Sequence, residues 1–319
     1  MSPVYYGGEV IAVVANMAHH VDVGGMTPGS MPVGATEIFQ EGLRIPPVKI
    51  QKKGLLDEEI LRIIEANIRT GYVTKGDLRA QIAANNVAIK RMRELIDKYG
   101  TKLIWEYMQA IMDYSERRMR RSMREIPNGV YSFEDYLEGD GISEDMIKIK
   151  ATISVKDENV LVDFTGTNAQ TKGGINCTRA VTLACVYYAI KSLVDPDVPP
   201  NEGAFRSIEV ITPENTIVNP SFPAAVVHAN LNTSQRIVDV ILGAFKDCVP
   251  KKVMAACVGS MNIFTIGGIN PQTNSYYSYI ETYGGGQGAM YNQDGMDGVH
   301  TNMTNTRNAP VEAIENSYP

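Results

Sequence analysis

The sequence lacks the features that mark nucleic-acid-binding and membrane proteins. Its 30 Lys and Arg residues are outnumbered by 36 Asp and Glu, which leaves a formal net charge of -6. This acidic balance, without a lysine-rich tail, argues against a nucleic-acid partner. No apolar run approaches the ~20 residues that span a bilayer. The first apolar stretch, Val10 to Ala15, has neither the basic flank nor the cleavage site of a signal peptide. We therefore expect a soluble, cytoplasmic protein.

Cysteine is also scarce. The four cysteines lie far apart and form no Cys-x-x-Cys pair, which argues against a disulfide framework. We expect them to be reduced and mostly buried. Hydrophobic residues make up 44% of the 319 residues and charged residues 21%, which is enough apolar surface for a real core. The length predicts two domains or one large one.

The first half of the chain has signals for a strand and then for long helices. A Gly7-Gly8 turn before the Val10–Ala15 strand predicts a partner strand in front of it. The apolar spacing predicts a helix from Leu56 to Thr70, with Asp57 as N-cap and Gly71 at its end. Two further long helices, joined near Gly100, are predicted across 74–124.

The second half changes to alternating strands and buried helices. Period-two alternation predicts strands at Ile147–Ile153 and Val160–Phe164, joined as a hairpin. Further predicted strands are Ser207–Ile211, Ala224–Ala229, Met261–Ile266 and Tyr276–Tyr283, and predicted helices are Thr178–Val194 and Ser234–Phe245. The fold class is α+β, a long helical segment plus a mixed β-sheet region. We expect three parts: 1–55 with a strand and a Gly/Pro-rich site loop, 56–127 helical, and 128–319 of mixed sheet and helix.

Histidines are rare, and two of the four are adjacent. His19 and His20 precede Asp22 and a Gly24-Gly25 pair. Imidazole and carboxylate groups bind metals and carry protons, and the exit of a strand into a glycine-rich loop suits both roles. On a strand, His20 and Asp22 would share one face and His19 the other. A hydrogen-bonded histidine pair at a strand end explains the same residues without catalysis.

Glu41 follows in the same long loop, four residues after Glu37. These carboxylates could face the same cavity as the histidines, which makes Glu41 a candidate catalytic group. They could equally cap the loop or pair with Arg44.

Polar side chains between the first helices could bind substrate. Arg69 and Arg79 can clamp a carboxylate in bidentate fashion, and Asp77 and Gln81 can bind an amide. Helix caps and surface ion pairs are the alternative, especially for Asp77.

A dense glycine stretch, 284–288, could present backbone N–H groups to an oxyanion. No P-loop or dinucleotide-binding pattern accompanies it, so the chain has no convincing ATP site of its own. A tight structural loop explains the glycines equally well.

Several short motifs occur in a fixed order along nearly the whole chain: His19–Ser30, Glu41-Gly42, Ile45–Pro47, Asn67–Arg69, Gly76–Gln81, Val162–Thr167, Gly284–Ala289 and Pro310–Pro319. Together they resemble the hydantoinase B family. The resemblance implies a hydantoinase B-like fold and the B-type subunit of ATP-dependent N-methylhydantoinase, 5-oxoprolinase, caprolactamase-like enzymes or acetone/acetophenone carboxylases.

In that family an A-type partner with an actin-like ATPase fold binds ATP and activates the carbonyl or enol oxygen of the substrate. The B-type chain then completes hydrolysis of a cyclic amide or carboxylation of a ketone. The resemblance thus implies a hetero-oligomer, with a ketone carboxylase as the alternative to an amidase. A non-catalytic fragment that forms part of an assembly interface is the alternative from another class.

The resemblance also implies a divalent metal ion, zinc, manganese or iron, in the B-type chain. The family's spacing matches its ligand to His19, with His20 and Asp22 as neighbouring site residues. The family's upstream His-x-x-Asp is absent here, and family members run beyond the final Tyr-Pro. We therefore expect this sequence to cover the middle of a B-type chain.

Overall fold

The structure, a computed structural model, describes residues 1–300, 302–304 and 306–317. The final Tyr318-Pro319 of the family-like motif lies outside the described residues. The chain forms two compact units. Unit 1 comprises Met1–Ser30, Gly42–Asp113 and Thr265–Ile280, and unit 2 comprises Met31–Glu41, Tyr114–Phe264 and Glu281–Pro319.

Unit 1 begins with an antiparallel hairpin of β1 (Ser2–Tyr6) and β2 (Glu9–Val14). The strand expected before the Gly7-Gly8 turn is thus confirmed. The hairpin packs on a helix that follows later in the chain, where Tyr6 donates to Asp97 Oδ1 at 2.8 Å.

Helices dominate the rest of unit 1. After the short strands β3 (Gln51–Lys52) and β4 (Leu55–Leu56) come α1 (Glu58–Ala66), α2 (Gly71–Tyr99) and α3 (Thr101–Met123), of which the part from Tyr114 onward belongs to unit 2. The Asp57 carboxylate accepts from Ile60 N, so the predicted N-cap is confirmed. The predicted break near Gly100 is confirmed as well.

Gly71 does not end α1 as predicted; it begins α2. A Cβ at this position would lie 2.7 Å from the carbonyl oxygen of Glu65. The glycine is therefore required by the close approach of the start of α2 to α1, and not by a helix C-terminus.

Unit 2 is built on a four-stranded sheet of β5 (Gly129–Glu138), β6 (Met146–Lys156), β7 (Asn159–Asp163) and β8 (Ile208–Ile211), in that order. The pairings are antiparallel except that of β7 with β8, which is parallel. Alternate residues of β6 are buried, as its period-two pattern predicted. Helices α4 (Arg179–Val194) and α5 (Ser234–Phe245) complete the main core. Each fully buried Ile of this core contributes about 1.5–3 kcal/mol.

The predicted strand at Ala224–Ala229 is wrong. The segment is irregular and leads into a π-helical turn, Ala229–Thr233. The backbone N–H groups of Val226 and Val227 are bound by the Glu41 carboxylate. These donors are therefore taken by a side chain and cannot join a strand ladder.

The remaining elements are β9 (Asn262–Asn270), β10 (Ser275–Tyr283) and α6 (Val311–Ser317). The mixture of helices and sheets confirms the α+β class. The three-part division at 55 and 127 stays a prediction. Among the described residues, none of the helices combines the length and the apolar character of a bilayer span.

Candidate functional site

In unit 1, the His19–Ser30 motif folds around one buried carboxylate, that of Asp22. Its side chain is fully buried. It accepts from Gly24 N at 2.8 Å, from Gly29 N at 3.0 Å, and from Arg69 Nη1 and N at 3.2 and 3.4 Å. A carboxylate with several such donors organises its own loop. Asp22 therefore holds the 22–30 segment in shape.

Arg69 completes the same arrangement from the segment between α1 and α2. Its Nη1 donates to the carbonyls of Gly24 and Thr27 at 3.3 and 3.0 Å, and its Nη2 donates to that of Gly25 at 2.6 Å. The guanidinium thus binds the loop and its anchoring carboxylate. Its use as a clamp for a substrate carboxylate stays a prediction.

The loop also packs against the Asn67–Arg69 motif through Gly24. This glycine has a φ of +89°, and a Cβ there would lie 2.6 Å from Asn67 O. Ser30 Oγ donates to Gly24 O at 2.7 Å and accepts from Val23 N at 2.7 Å. Two motifs that are far apart in sequence therefore form one compact structure.

His20 pairs with Asp77 of α2. Nδ1 of the imidazole lies 3.1 Å from Asp77 Oδ2, and the two side chains are 15% and 42% exposed. A carboxylate on one ring nitrogen orients the imidazole and leaves Nε2 as the nitrogen that can exchange a proton. The pair is therefore a chemically competent proton carrier.

His19 and His20 lie beyond the end of β2 at Val14, so strand alternation does not arrange their side chains. His19 is exposed, whereas His20 is half-buried. Asp22, which alternation would place on the face of His20, instead points into its own loop.

Two other predicted binding residues lie on α2. Gln81 Nε2 donates to Asn16 Oδ1 at 2.9 Å, and Asn16 Nδ2 donates back to Gln81 O at 2.8 Å. Gln81 thereby fixes the segment after β2. Arg79 is exposed.

Glu41 belongs to unit 2, where its Oε1 accepts from Val226 N at 2.5 Å and Val227 N at 2.9 Å. Burial raises the pKa of this carboxyl, and the two backbone donors partly oppose the rise. Glu41 therefore anchors the irregular segment before the π-helical turn.

That segment carries His228, which sequence analysis did not select. His228 N donates to Gly174 O at 2.7 Å, and the ring is hydrogen-bonded to the Pro32 carbonyl. Within the described residues the buried Nε2 has no partner. Burial lowers the pKa of the imidazole, so it is neutral at pH 7 with an available lone pair. Its rarity, one of four histidines, was the only signal in the sequence.

The glycine stretch at 284–288 is explained by packing. A Cβ on Gly288 would collide with the carbonyl of Ala255, and one on Gly284 would lie 2.7 Å from Gly298 O. Of the two interpretations left open, this close backbone approach favours the structural loop.

Across the described ranges, no three His, Cys, Asp or Glu side chains converge closely enough to hold a metal ion. His20 and Asp77 form a pair, and a complete ligand set of three does not form around His19 from these residues. The described donors therefore do not fit a metal centre without further ligands, and the divalent ion stays a prediction.

A family model described as hydantoinase B/oxoprolinase matches residues 1–319. A putative B-type subunit of a D-/L-hydantoinase from Pseudomonas sp. is 36% identical over 99% of this chain and 55% of its own length. A 5-oxoprolinase of Dictyostelium discoideum is 37% identical over the whole chain but only 24% of its own length. The chain thus spans at most about half the length of these two relatives.

Two solved structures share the fold. An ATP-dependent caprolactamase from Pseudomonas jessenii matches with a TM-score of 0.84 and 28% identity, over 99% of this chain and 55% of the other. A nucleotide-free acetone carboxylase matches with a TM-score of 0.85 over 98% of this chain and 44% of the other. Its identity is 17%, so this second likeness concerns the fold alone.

Proposed function

This chain belongs to the hydantoinase B/oxoprolinase family, and on that premise we propose that it is a B-type chain of an ATP-dependent cyclic amidase. It acts in the cytoplasm in a hetero-oligomer with an A-type ATPase that binds ATP and activates the cyclic amide. Similarity to the B-type hydantoinase chain and to the caprolactamase supports the amidase over the carboxylase.

The reaction adds water to the activated carbonyl carbon and breaks the ring C–N bond. The oxygen of water stays on the carbon, a proton moves to the departing nitrogen, and the phosphoryl group that ATP supplied to the carbonyl oxygen leaves as phosphate. The product of a lactam is therefore an open chain with a carboxylate at one end and an amine at the other. Such a step needs a group that takes a proton from water and returns it to nitrogen.

The observation that carries the proposal is the His20–Asp77 pair beside the Asp22-organised loop. In our proposal His20 Nε2 takes the proton from water and donates it to the ring nitrogen, while Asp77 orients the imidazole. Asp22 and Arg69 act through the loop and are positioning residues. Arg79 and Gln81 stay candidate substrate-binding residues.

A divalent ion at His19 is part of the expected chemistry, because it would polarise the carbonyl or acidify water. The described residues supply an incomplete ligand set, so no step is assigned to it. Elemental analysis of the wild type and of His19→Ala tests this expectation; an ion held by the wild type and lost in the variant supports it.

The function is tested by purifying the chain with an A-type ATPase and measuring ATP-dependent ring opening of 5-oxoproline, hydantoin and caprolactam. We expect His20→Asn to lower kcat by about 10²–10⁴-fold. Asp77→Asn should lower it less and shift its pH profile. Glu94→Gln, an exposed carboxylate on the same helix, is the matched control and should leave turnover unchanged.

Three results would contradict the proposal. Consumption of a ketone with bicarbonate, without opening of any cyclic amide, would assign the chain to a carboxylase. Full turnover by His20→Asn would remove His20 from the chemistry. A complex that turns over none of these substrates would favour a role in assembly alone.

A further inference from the structure

A cavity of about 400 Å³ lies within unit 2. Its apolar wall includes Phe133, Pro250, Val253, Met254 and Ala289. A volume in this range with mainly apolar walls and a few charged groups is typical of a small-molecule site.

One face of a single helix contributes three of the residues that line this cavity, and the Phe133 ring packs on this face at Gly243. Asp239, Gly243 and Lys246 all line it and are spaced i, i+4, i+7. Lys246 caps α5 in helical geometry, so the three positions share one face. Asp239 and Lys246 are two turns apart, about 10.5 Å along the helix. The lining thus carries a carboxylate and, two helical turns away, an ammonium whose Nζ lies 5.1 Å from the centroid of the Phe133 ring.

The Asp239 carboxylate has few partners for a group that is only 6% exposed. Among the described residues, Oδ1 accepts from Asn302 Nδ2 at 2.9 Å. Within the same residues, the contact of Oδ2 is the Cys257 thiol at 3.9 Å. A buried carboxylate oxygen without a strong donor favours a ligand that brings one.

The other carboxylate of the cavity is already satisfied. Asp135 Oδ2 accepts from Arg236 Nη1 at 2.6 Å, and its Oδ1 accepts from Tyr136 N at 2.8 Å. Asp239 is therefore the acidic group with capacity for a ligand. Burial raises its pKa to about 6, which shows how poorly the ionised form is compensated.

We propose that this cavity binds an ω-amino acid, with the ammonium group at Asp239 Oδ2, the carboxylate at Lys246 and the methylene chain along the apolar wall. The identity of the ligand rests on the proposed function, because opening of an unsubstituted lactam such as caprolactam yields such a molecule. Glycine, whose ammonium and carboxylate groups are attached to the same carbon, cannot reach both charged groups.

The test is isothermal titration of the 319-residue chain with 6-aminohexanoate at pH 7.5, with hexanoate and glycine as comparison ligands. Asp239→Asn should weaken 6-aminohexanoate binding at least about tenfold, because it removes a charged acceptor. Lys246→Gln should weaken it by a smaller factor. Asp247→Asn, which is exposed beside Lys246, is the matched control and should not change it.

Binding should also weaken as the pH falls below about 6, since the ammonium requires ionised Asp239. The charged and titratable groups around Asp239 are Arg236, Asp135, Cys257, Tyr188 and Lys246. The Asp239→Asn variant should show no such pH dependence, which separates Asp239 from these neighbours. Near-UV circular dichroism checks that the variant is folded.

Failure of the wild type to bind 6-aminohexanoate overturns the proposal, as does equal binding by Asp239→Asn or by hexanoate. The titration needs neither ATP nor a partner. If the chain does not bind but the complex opens lactams, the cavity proposal falls and the function stands. If the chain binds but the complex opens no cyclic amide, the function falls and the cavity remains an amino-acid site.

Discussion

Asp22 in unit 1 and Asp239 in unit 2 are both buried carboxylates, but their hydrogen-bond partners differ. Asp22 accepts three backbone N–H bonds and one from a guanidinium. Asp239 accepts one amide bond and a weak thiol contact among the described residues. The burial of a carboxylate therefore does not by itself indicate its role. The number and strength of the donors decide whether a carboxylate holds the fold or remains available to a ligand.

The largest expected effect is that of Asp22→Ala. It leaves the Arg69 guanidinium and the backbone N–H groups of the loop without their acceptor, so we expect the free energy of unfolding to fall by about 3–5 kcal/mol. Urea denaturation measures it. A loss below about 1 kcal/mol would show that the 22–30 loop contributes little to unit 1 and would break the comparison.

As the pH rises, Asp239→Asn should affect the stability in the opposite direction to Asp22→Ala. The pKa of Asp239, about 6, lies above its ordinary value of 3.8, so the native state holds its proton more tightly than the unfolded state. The contribution of Asp239 to the free energy of unfolding is fully present below about pH 4 and is lost as the pH rises to about 6. Between these limits we expect the wild type to lose up to about 3 kcal/mol relative to the variant.

Denaturation of both proteins at pH 4, 5, 6 and 7 measures this difference. Parallel stability curves would contradict it and would mean that Asp239 is better compensated than its described partners indicate.

Asp57→Ala should have the smallest effect and sharpens the comparison with a carboxylate that is only partly buried. The hydrogen bond with Lys52 and that from Ile60 N lower the pKa of Asp57. Its contribution is present above the ordinary pKa and is lost as the pH falls through the lowered value. At pH 7 we expect Asp57→Ala to lose much less stability than Asp22→Ala, and we expect this loss to disappear in acid. Thermal unfolding at pH 7 and pH 2.5 measures it, and a loss that persists in acid would exclude the charge as its cause.

Much of the fold was predictable because it depends on neighbours in sequence. The alternation in β6, the N-cap at Asp57 and the apolar spacing of α5 all specify local geometry. The family resemblance could also be recognised without the structure, because it rests on the order of short motifs along the sequence. The strand predicted at Ala224–Ala229 failed because Glu41, far away in sequence, takes its backbone donors.

The site was only partly predictable for the same reason. Residue type alone marked four side chains as reactive or polar, those of His20, Asp22, Arg69 and Asp77. It did not show which of these side chains pair with each other. The fold joins His20 to Asp77 and Asp22 to Arg69, although local spacing suggested His20 with Asp22. His228 and Asp239 were missed because nothing in their sequence neighbourhood distinguishes them from core residues.

The amino-acid order was therefore sufficient for the α+β class, most helices and strands, and membership of the family. The partners of each buried polar group came from the folded chain. Periodicity and capping act over a few residues, whereas the hydrogen bonds of Asp22 with Arg69 and of Glu41 with Val226 join residues 47 and 185 positions apart.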